Sequence, residues 1–356
     1  TQVFFAVEDD HVCTRSEHVN LVDSVSYTIA NYLGLNTELT RSIAVGHDLG
    51  HAPFGHGGEK IINTLCKEND LPAFWHEKNS LYFVDEIETL EDDHHIRRNL
   101  NLTYAIRDGI ISHCGEMNQK SIQKRNEYID LKDYQYPGQY NPYTWEGCVV
   151  KMSDKIAYLA RDIEDALRLN IIDEKQVEQL KKEINMISSY HFDAINNGTI
   201  VNYFILDVCQ NSSLEKGICL SDEAFEVMKK MMSFNYKNIY LIDRIEVHTN
   251  YVQLILNSIF QFLYKYETIA KENQINVIEA LKEDQKKYPI TIQGYIHWLE
   301  KYSQMRDFKR NTHYQNHIIY DFDNDSKAMV KSIIDYLSGM SDAYILKIFN
   351  EFISFS

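Results

Sequence analysis

The sequence predicts a mostly α-helical protein, and three observations carry that expectation. Only five prolines and 14 glycines occur in 356 residues, so long stretches run without a helix breaker. Apolar residues recur at three- and four-residue spacing along most of the chain, the period of a helix with one buried face. Strand signals are confined to two short stretches, residues 2–5 and 318–322.

The elements follow in order. Val22, Val25, Ile29 and Leu33 continue a helical series that begins at His18, which places that histidine on the apolar face. Thr37, Thr40 and Arg41 open a second helix. It runs through Ile43 and Ala44 to the His47-Asp48 pair, and Gly50 and Pro53 end it. Gly57-Gly58-Glu59 opens a third through Ile61, Ile62 and Leu65. Further helices are predicted over 80–90, 100–113 and 146–169, with an irregular Tyr- and Pro-bearing segment over 134–143. Beyond Asp173 the pattern stays helical, with a long apolar element over 238–266 and two more helices near the C terminus. The expected division is a core over residues 1–170 and a helical region over 171–356 packed on it. The chain starts at Thr1 without an initiator Met, so a missing upstream segment is expected.

The net charge is −16, from 36 basic and 52 acidic side chains. A general nucleic-acid coat needs the opposite balance. A small polyphosphate is still accommodated, because a metal ion and a few local Lys or Arg reverse the field inside one pocket. Cysteines 13, 66, 114, 148, 209 and 219 form no CxxC pair, a pattern that suits a reducing, cytoplasmic setting. No 18-residue apolar run is present, so no membrane association is expected.

The chemistry concentrates in residues 47–56, His47-Asp48-Leu49-Gly50-His51-Ala52-Pro53-Phe54-Gly55-His56, where three histidines and an aspartate fall within ten residues. Imidazole and carboxylate bind borderline divalent metals, and histidine is the acid or base closest to neutral pH. On its own the His-Asp pair also reads as a solvated helix end, and His18 as a satisfied core histidine. Asp154 shifts that balance, because a carboxylate within Val149-Val150-Lys151-Met152-Ser153-Asp154-Lys155-Ile156 needs a counter-charge. Asp154, Tyr158 and Asp162 share one helix face at i, i+4 and i+8. Arg15 lies on the His18 face and, with Lys155, is a natural phosphate clamp; ordinary pairing with Asp10 or Asp162 is the other reading of those two cations.

The H…HD…D order of His18, His47, Asp48 and Asp154 resembles the HD superfamily of metal-dependent phosphohydrolases. Thr14-Arg15-Ser16-Glu17-His18, HDLGHAPFGHGGE (47–59), NLTYAIRDGI (101–110) and SDKIAYLARDIEDAL (153–167) resemble, more narrowly, deoxynucleoside triphosphate triphosphohydrolases of the bacterial dGTPase type. Asp335-Tyr336-Leu337-Ser338-Gly339-Met340-Ser341-Asp342 is similar to that family's closing helix motif, so the likeness runs along nearly the whole chain. It implies an HD-domain helical fold with an additional C-terminal helical region.

The resemblance further implies one divalent metal held by His18, His47, Asp48 and Asp154, with Mn²⁺ or Mg²⁺ first and Fe, Co, Ni or Zn as alternatives. It implies His51, His56, Glu59 and His76 as the catalytic group beside the phosphates. Tyr158 and Asp162 resemble the sugar-reading pair, the aspartate accepting the 3′-OH and the ring closing the space below C2′; Gln2 and Val3 would line the same sugar. His94, His95 and His113 read as structural or surface residues. The implied reaction is hydrolysis of a deoxynucleoside triphosphate to deoxynucleoside and tripolyphosphate, by metal-activated water attacking the α-phosphorus. Arg161, Lys155 and the His76-Glu77 pattern look closer to the vertebrate-type branch, which accepts all four dNTPs. A homo-oligomer is implied, as is a nucleotide or single-stranded DNA effector. The rival readings are a monophosphatase or phosphodiesterase of the same superfamily, and a non-catalytic nucleotide sensor.

Overall fold

The computed structural model describes residues 12–114 and 119–354; Gln2, Val3 and the strand expected over 2–5 lie outside them. Fourteen α-helices occur among the described residues: α1 Arg15–Tyr32, α2 Thr37–Gly46, α3 Gly55–Glu68, α4 His76–Tyr82, α5 Tyr104–Ser112, α6 Trp145–Arg168, α7 Glu174–Asn185, α8 Asn197–Asn211, α9 Asp222–Asn235, α10 Asp243–Asn273, α11 Val277–Lys282, α12 Pro289–Tyr302, α13 Ala328–Ser338 and α14 Asp342–Ile353. Six strands of two or three residues, β1 Thr89–Glu91, β2 Arg97–Asn99, β3 Ser121–Ile122, β4 Ile218–Cys219, β5 Ser303–Gln304 and β6 Tyr320–Asp321, pair two by two. The fold is mostly α, as the periodicity predicts.

Four of the boundaries that differ from the sequence expectation have a local reason. The helix expected over 80–90 starts at His76, widens into a π turn over Phe83–Ile87, and yields to β1. There the Asp92 carboxylate accepts the amides of His94 and Ile96 and turns the chain back, so that Thr89 pairs with Asn99 and Glu91 with Arg97. α2 stops at Gly46, so His47 to Gly50 form a turn and His51 is not one helical turn beyond His47. α3 begins at Gly55, two residues before Gly57, after Phe54 adopts a left-handed φ of 62°. The element expected over 238–266 is two pieces, a π turn over Tyr236–Tyr240 and then α10 from Asp243. The stretch at 318–322 does supply a strand, β6, parallel to β5.

The chain separates into two compact units: the described residues of Thr1–Leu49 with Leu102–Val247, and of Gly50–Asn101 with His248–Ser356. In the first, α6 is buried on nearly every side. Its Val150 and Ala157 meet Val22 of α1 and Ile43 and Ala44 of α2. Met152, Ile156 and Ile163 face Ile200 and Phe204 of α8 and Val227 and Met231 of α9. Residues 171–247 thus supply the second side of α6 and lie in the same compact unit. In the second unit, Phe83, Ile87, Tyr302, Tyr320 and Ala328 form an apolar cluster. Beside it the hydroxyls of Tyr82 and Tyr320 both donate to Asp335 Oδ2 at 2.8 Å.

Candidate metal centre and histidine cluster

The first unit gathers His18, His47, Asp48 and Asp154 from three elements. α1 presents His18 on its buried face, the turn after α2 presents His47 and Asp48, and the middle of α6 presents Asp154. His18 Nε2 is 3.0 Å from Asp154 Oδ1 and 3.8 Å from Asp48 Oδ2; His47 Nε2 is 3.4 Å from Asp48 Oδ1 and 3.9 Å from Asp154 Oδ1. Donors held about 2.1 Å from one ion lie about 3.0–3.4 Å apart when adjacent around it. Two of the four spans fit that range and the other two lie within half an ångström of it, so the residues fit a divalent ion.

Electrostatics favour the same conclusion. Burial lowers the His18 pKa, against the hydrogen bond and charge of Asp154, which favours the neutral, ligand-competent imidazole. Burial alone would raise the Asp154 carboxyl, but the side-chain contact with His18 and the nearness of His47 outweigh it and hold it well below the usual carboxylate range, so it stays ionised. His47 donates Nδ1–H to the Ala44 carbonyl at 2.6 Å, which fixes the tautomer that turns the Nε2 lone pair toward the aspartates.

A fifth donor, read from sequence as structural or surface, belongs to this cluster. His113, just past α5, is 1% exposed, and its Nε2 stands 3.9 Å from Asp48 Oδ1. Its Nδ1–H is donated to the Ile110 carbonyl at 2.6 Å, repeating the arrangement at His47. Lys151, almost fully buried, donates to the carbonyl of the next residue, Cys114, at 2.9 Å and ties this segment to α6. The sequence signal was the glycine pair that lets α5 approach α2. A Cβ on Gly46 would lie 2.7 Å from Ile110 Cδ1, and one on Gly109 would lie 2.5 Å from Ile43 Cδ1.

Farther along α6 lie Lys155, Tyr158 and Asp162, with Asp162 buried and Tyr158 half-buried. Asp162 Oδ2 accepts the Tyr240 hydroxyl at 2.5 Å, a partner that sequence spacing could not supply. Arg161 lies 3.5 Å from Asp165 and 3.9 Å from Glu164. Arg15 opens α1, half-buried, one turn before His18.

The remaining expected residues gather in the second unit. The His51 and His76 rings stack with centroids 3.9 Å apart and planes within 11°. Glu59 accepts the His76 amide at 3.1 Å and contacts His76 Nδ1 at 3.2 Å, while His56 Nδ1 stands 3.6 Å away. Burial would raise the Glu59 carboxyl, but the His56 and His76 contacts prevail and hold it well below the usual carboxylate range, so it stays ionised. Glu77, which the sequence reading assigned no role, is 1% exposed with Oε2 3.5 Å from His76 Nδ1.

Glycines shape the loop that carries His51. The Gly50 amide donates to Ser80 Oγ at 2.9 Å and its carbonyl accepts from Asn79 Nδ2 at 2.8 Å. A Cβ there would sit 2.0 Å from the Ser80 nitrogen. The Phe54 amide donates to Asp342 Oδ1 at 2.8 Å, which gives Asp342 a loop-anchoring role. The run 47–56 is therefore divided between the units, His47 and Asp48 in the first, His51 and His56 in the second.

The HD domain family matches residues 15–159. A deoxyguanosinetriphosphate triphosphohydrolase-like protein of Desulfatibacillum aliphaticivorans is 34% identical over 267 residues, 74% of this chain and 67% of that protein. One of Caldanaerobacter subterraneus subsp. tengcongensis is 33% identical over 265 residues, and the match spans 66% of its length. One of Clostridium tetani is 29% identical over 350 residues, 98% of this chain and 78% of that protein.

Proposed function

Since the chain belongs to the HD-domain family of deoxyguanosinetriphosphate triphosphohydrolase-like phosphohydrolases, we propose that it hydrolyses deoxynucleoside triphosphates to deoxynucleoside and tripolyphosphate. The observation that carries this reading is the convergence of His18, His47, Asp48 and Asp154 in one buried cluster.

These four would hold a divalent ion, Mn²⁺ or Mg²⁺, by two imidazoles and two carboxylates. When bound, the ion supplies Lewis acidity at a phosphate oxygen and a water of lowered pKa. Asp48 and Asp154 offset its charge, and the Ala44 carbonyl keeps His47 Nε2 directed at it. Arg15 and Lys155 neutralise phosphate charge that builds during bond cleavage. Glu59 orients His76 and stabilises its protonated form, so that a proton is held for the departing 5′-oxygen; His51 stacks on His76 and fixes its ring plane. Asp162 accepts the 3′-OH, and the Tyr158 ring closes the space a 2′-OH would fill, which selects deoxyribose over ribose. The proposal includes a cytoplasmic homo-oligomer responsive to a nucleotide or single-stranded DNA effector. Among the described residues no helix is long and apolar enough to cross a membrane.

The test is a screen of four dNTPs and four NTPs with several divalent metals, scored for nucleoside and intact tripolyphosphate. Release of orthophosphate or ring opening of a cyclic nucleotide would move the assignment to another phosphohydrolase activity. Nucleotide binding without turnover under every metal and effector would refute catalysis.

A further inference from the structure

We propose that Tyr240 is a positioning residue for Asp162, held in place by Asn235 and the π turn that follows it. Together they commit the site to a nucleotide with a hydrogen-bond donor at the 3′ position of its sugar. The inference rests on the sugar-reading role given to Asp162 above and deepens it.

At its end α9 widens into the π turn over Tyr236–Tyr240, a departure from the α-helix that is frequent at functional sites. Asn235, the last residue of α9 and fully buried, donates Nδ2–H to the Leu159 carbonyl of α6 at 2.9 Å. Leu159 lies between Tyr158 and Asp162 on that helix, so the bond pins the turn to the stretch of α6 that carries both. Ile239, also fully buried, anchors the turn in the apolar core that α6, α8 and α9 share. The turn ends at Tyr240, whose hydroxyl donates to Asp162 Oδ2 at 2.5 Å, and the Asn235 side chain faces the same hydroxyl.

The direction of this bond decides what Asp162 can bind. Burial and the Asp162 carboxylate push the Tyr240 hydroxyl well above its ordinary range, so it stays protonated and is the donor. A carboxylate only accepts, and its two oxygens offer about four lone-pair sites, so the bond from Tyr240 orients Asp162 without exhausting it. Hydrogen bonds to a charged acceptor are the stronger ones, which suits this one to hold a side chain in a single rotamer. Asp162 is almost fully buried, so a ligand group brought against it must donate a hydrogen bond or leave the charge poorly compensated. A sugar 3′-hydroxyl or 3′-amine meets that demand. A 3′-hydrogen or 3′-ether does not, and a 3′-phosphate adds like charge.

The test compares the four deoxynucleoside triphosphates with their 2′,3′-dideoxy counterparts on the Mn²⁺-loaded protein, by KM and kcat. Where no turnover occurs, dissociation constants from calorimetry make the same comparison. The unmutated protein should favour the deoxy form by about tenfold, and Tyr240→Phe should lose about tenfold for the deoxy form alone, through KM and with circular dichroism unchanged. A 3′-amino analogue should follow the deoxy form, and a 3′-O-methyl analogue the dideoxy form. A variant that weakens both forms equally, or keeps the full preference, overturns the positioning role and leaves Asp162 as the sugar reader. Equal treatment of both forms by the unmutated protein overturns the sugar reading and this inference with it. A binding preference without turnover refutes the proposed activity and supports this inference; absence of nucleotide binding overturns both. Asn235→Ala, which leaves the ring and the carboxylate intact, should lower the same preference, and it decides the question should Tyr240→Phe fail to fold.

Discussion

Replacing Gly50 by alanine tests whether backbone contact holds the loop that carries His51. The added Cβ would lie 2.0 Å from the Ser80 nitrogen and 2.4 Å from the Asn79 carbonyl carbon, both main-chain atoms that cannot rotate away. The loop must shift, and the two hydrogen bonds that Gly50 makes with Ser80 Oγ and Asn79 Nδ2 are strained or lost. Two such bonds contribute about 1–3 kcal/mol net, and forcing a methyl into a packed site costs about 1–3 kcal/mol more. The expected destabilisation is about 2–6 kcal/mol, a fall in Tm on the order of 10 °C for a unit of this size. Gly57 is the control. It lies inside α3, where an added Cβ meets nothing closer than Thr249 Oγ1 at 3.7 Å, so Gly57→Ala should stabilise by up to about 1 kcal/mol through helix propensity. Differential scanning calorimetry reads both, and turnover of Gly50→Ala should drop with the displacement of His51, since a 1 Å error at a catalytic group costs about 10²-fold. A Gly50→Ala protein melting with the unmutated chain, or a Gly57→Ala protein losing as much as Gly50→Ala, would refute the reasoning.

Three other outcomes are expected. Asp48→Ala should remove bound metal and turnover together, and retention of one ion per chain in that variant, measured by mass spectrometry, would sink the ligand assignment. Burial lifts the Asp335 carboxyl from 3.8 to about 6, against the hydrogen bonds from Tyr320 and Tyr82. Its protonated form is thus favoured on folding, and the stability it contributes is complete below pH 3.8 and lost as pH rises through about 6, roughly 3 kcal/mol in all. Asp335→Asn should therefore gain on the unmutated protein between pH 4 and 7, and parallel Tm profiles over that range would contradict the shift. Tyr240→Phe removes the 2.5 Å hydrogen bond to Asp162 and should raise KM for deoxynucleotides about tenfold with little change in kcat, as for a lost bond to a charged group. An unchanged KM would show that Tyr240 does not position a sugar-reading carboxylate.

The helical class, the courses of α1 and α6, and the donor types at His18, His47, Asp48 and Asp154 are legible in the sequence because each depends on local spacing. A buried helix face repeats every three or four residues, and a carboxylate among apolar neighbours announces an unmet charge. Helix ends are less legible. α2 stops at Gly46, and the 80–90 segment turns into β1, because an Asp92 turn and a β2 partner supply hydrogen bonds that propensity does not encode.

The contacts of His113, Tyr240 and Glu77 became visible only in three dimensions. The partners of His113 lie 65 and 66 residues upstream in sequence, at Asp48 and His47, and α5 reaches them only because Gly46 and Gly109 let two helices close on each other. Tyr240 meets Asp162 across 78 residues. The sequence by itself determined which side chains are of a type able to bind a metal or move a proton, since that resides in the residue type. Tertiary structure decided how they are shared out, with His47 and Asp48 in one compact unit and His51 and His56 in the other, because long-range packing, not spacing along the chain, selects each donor's neighbours.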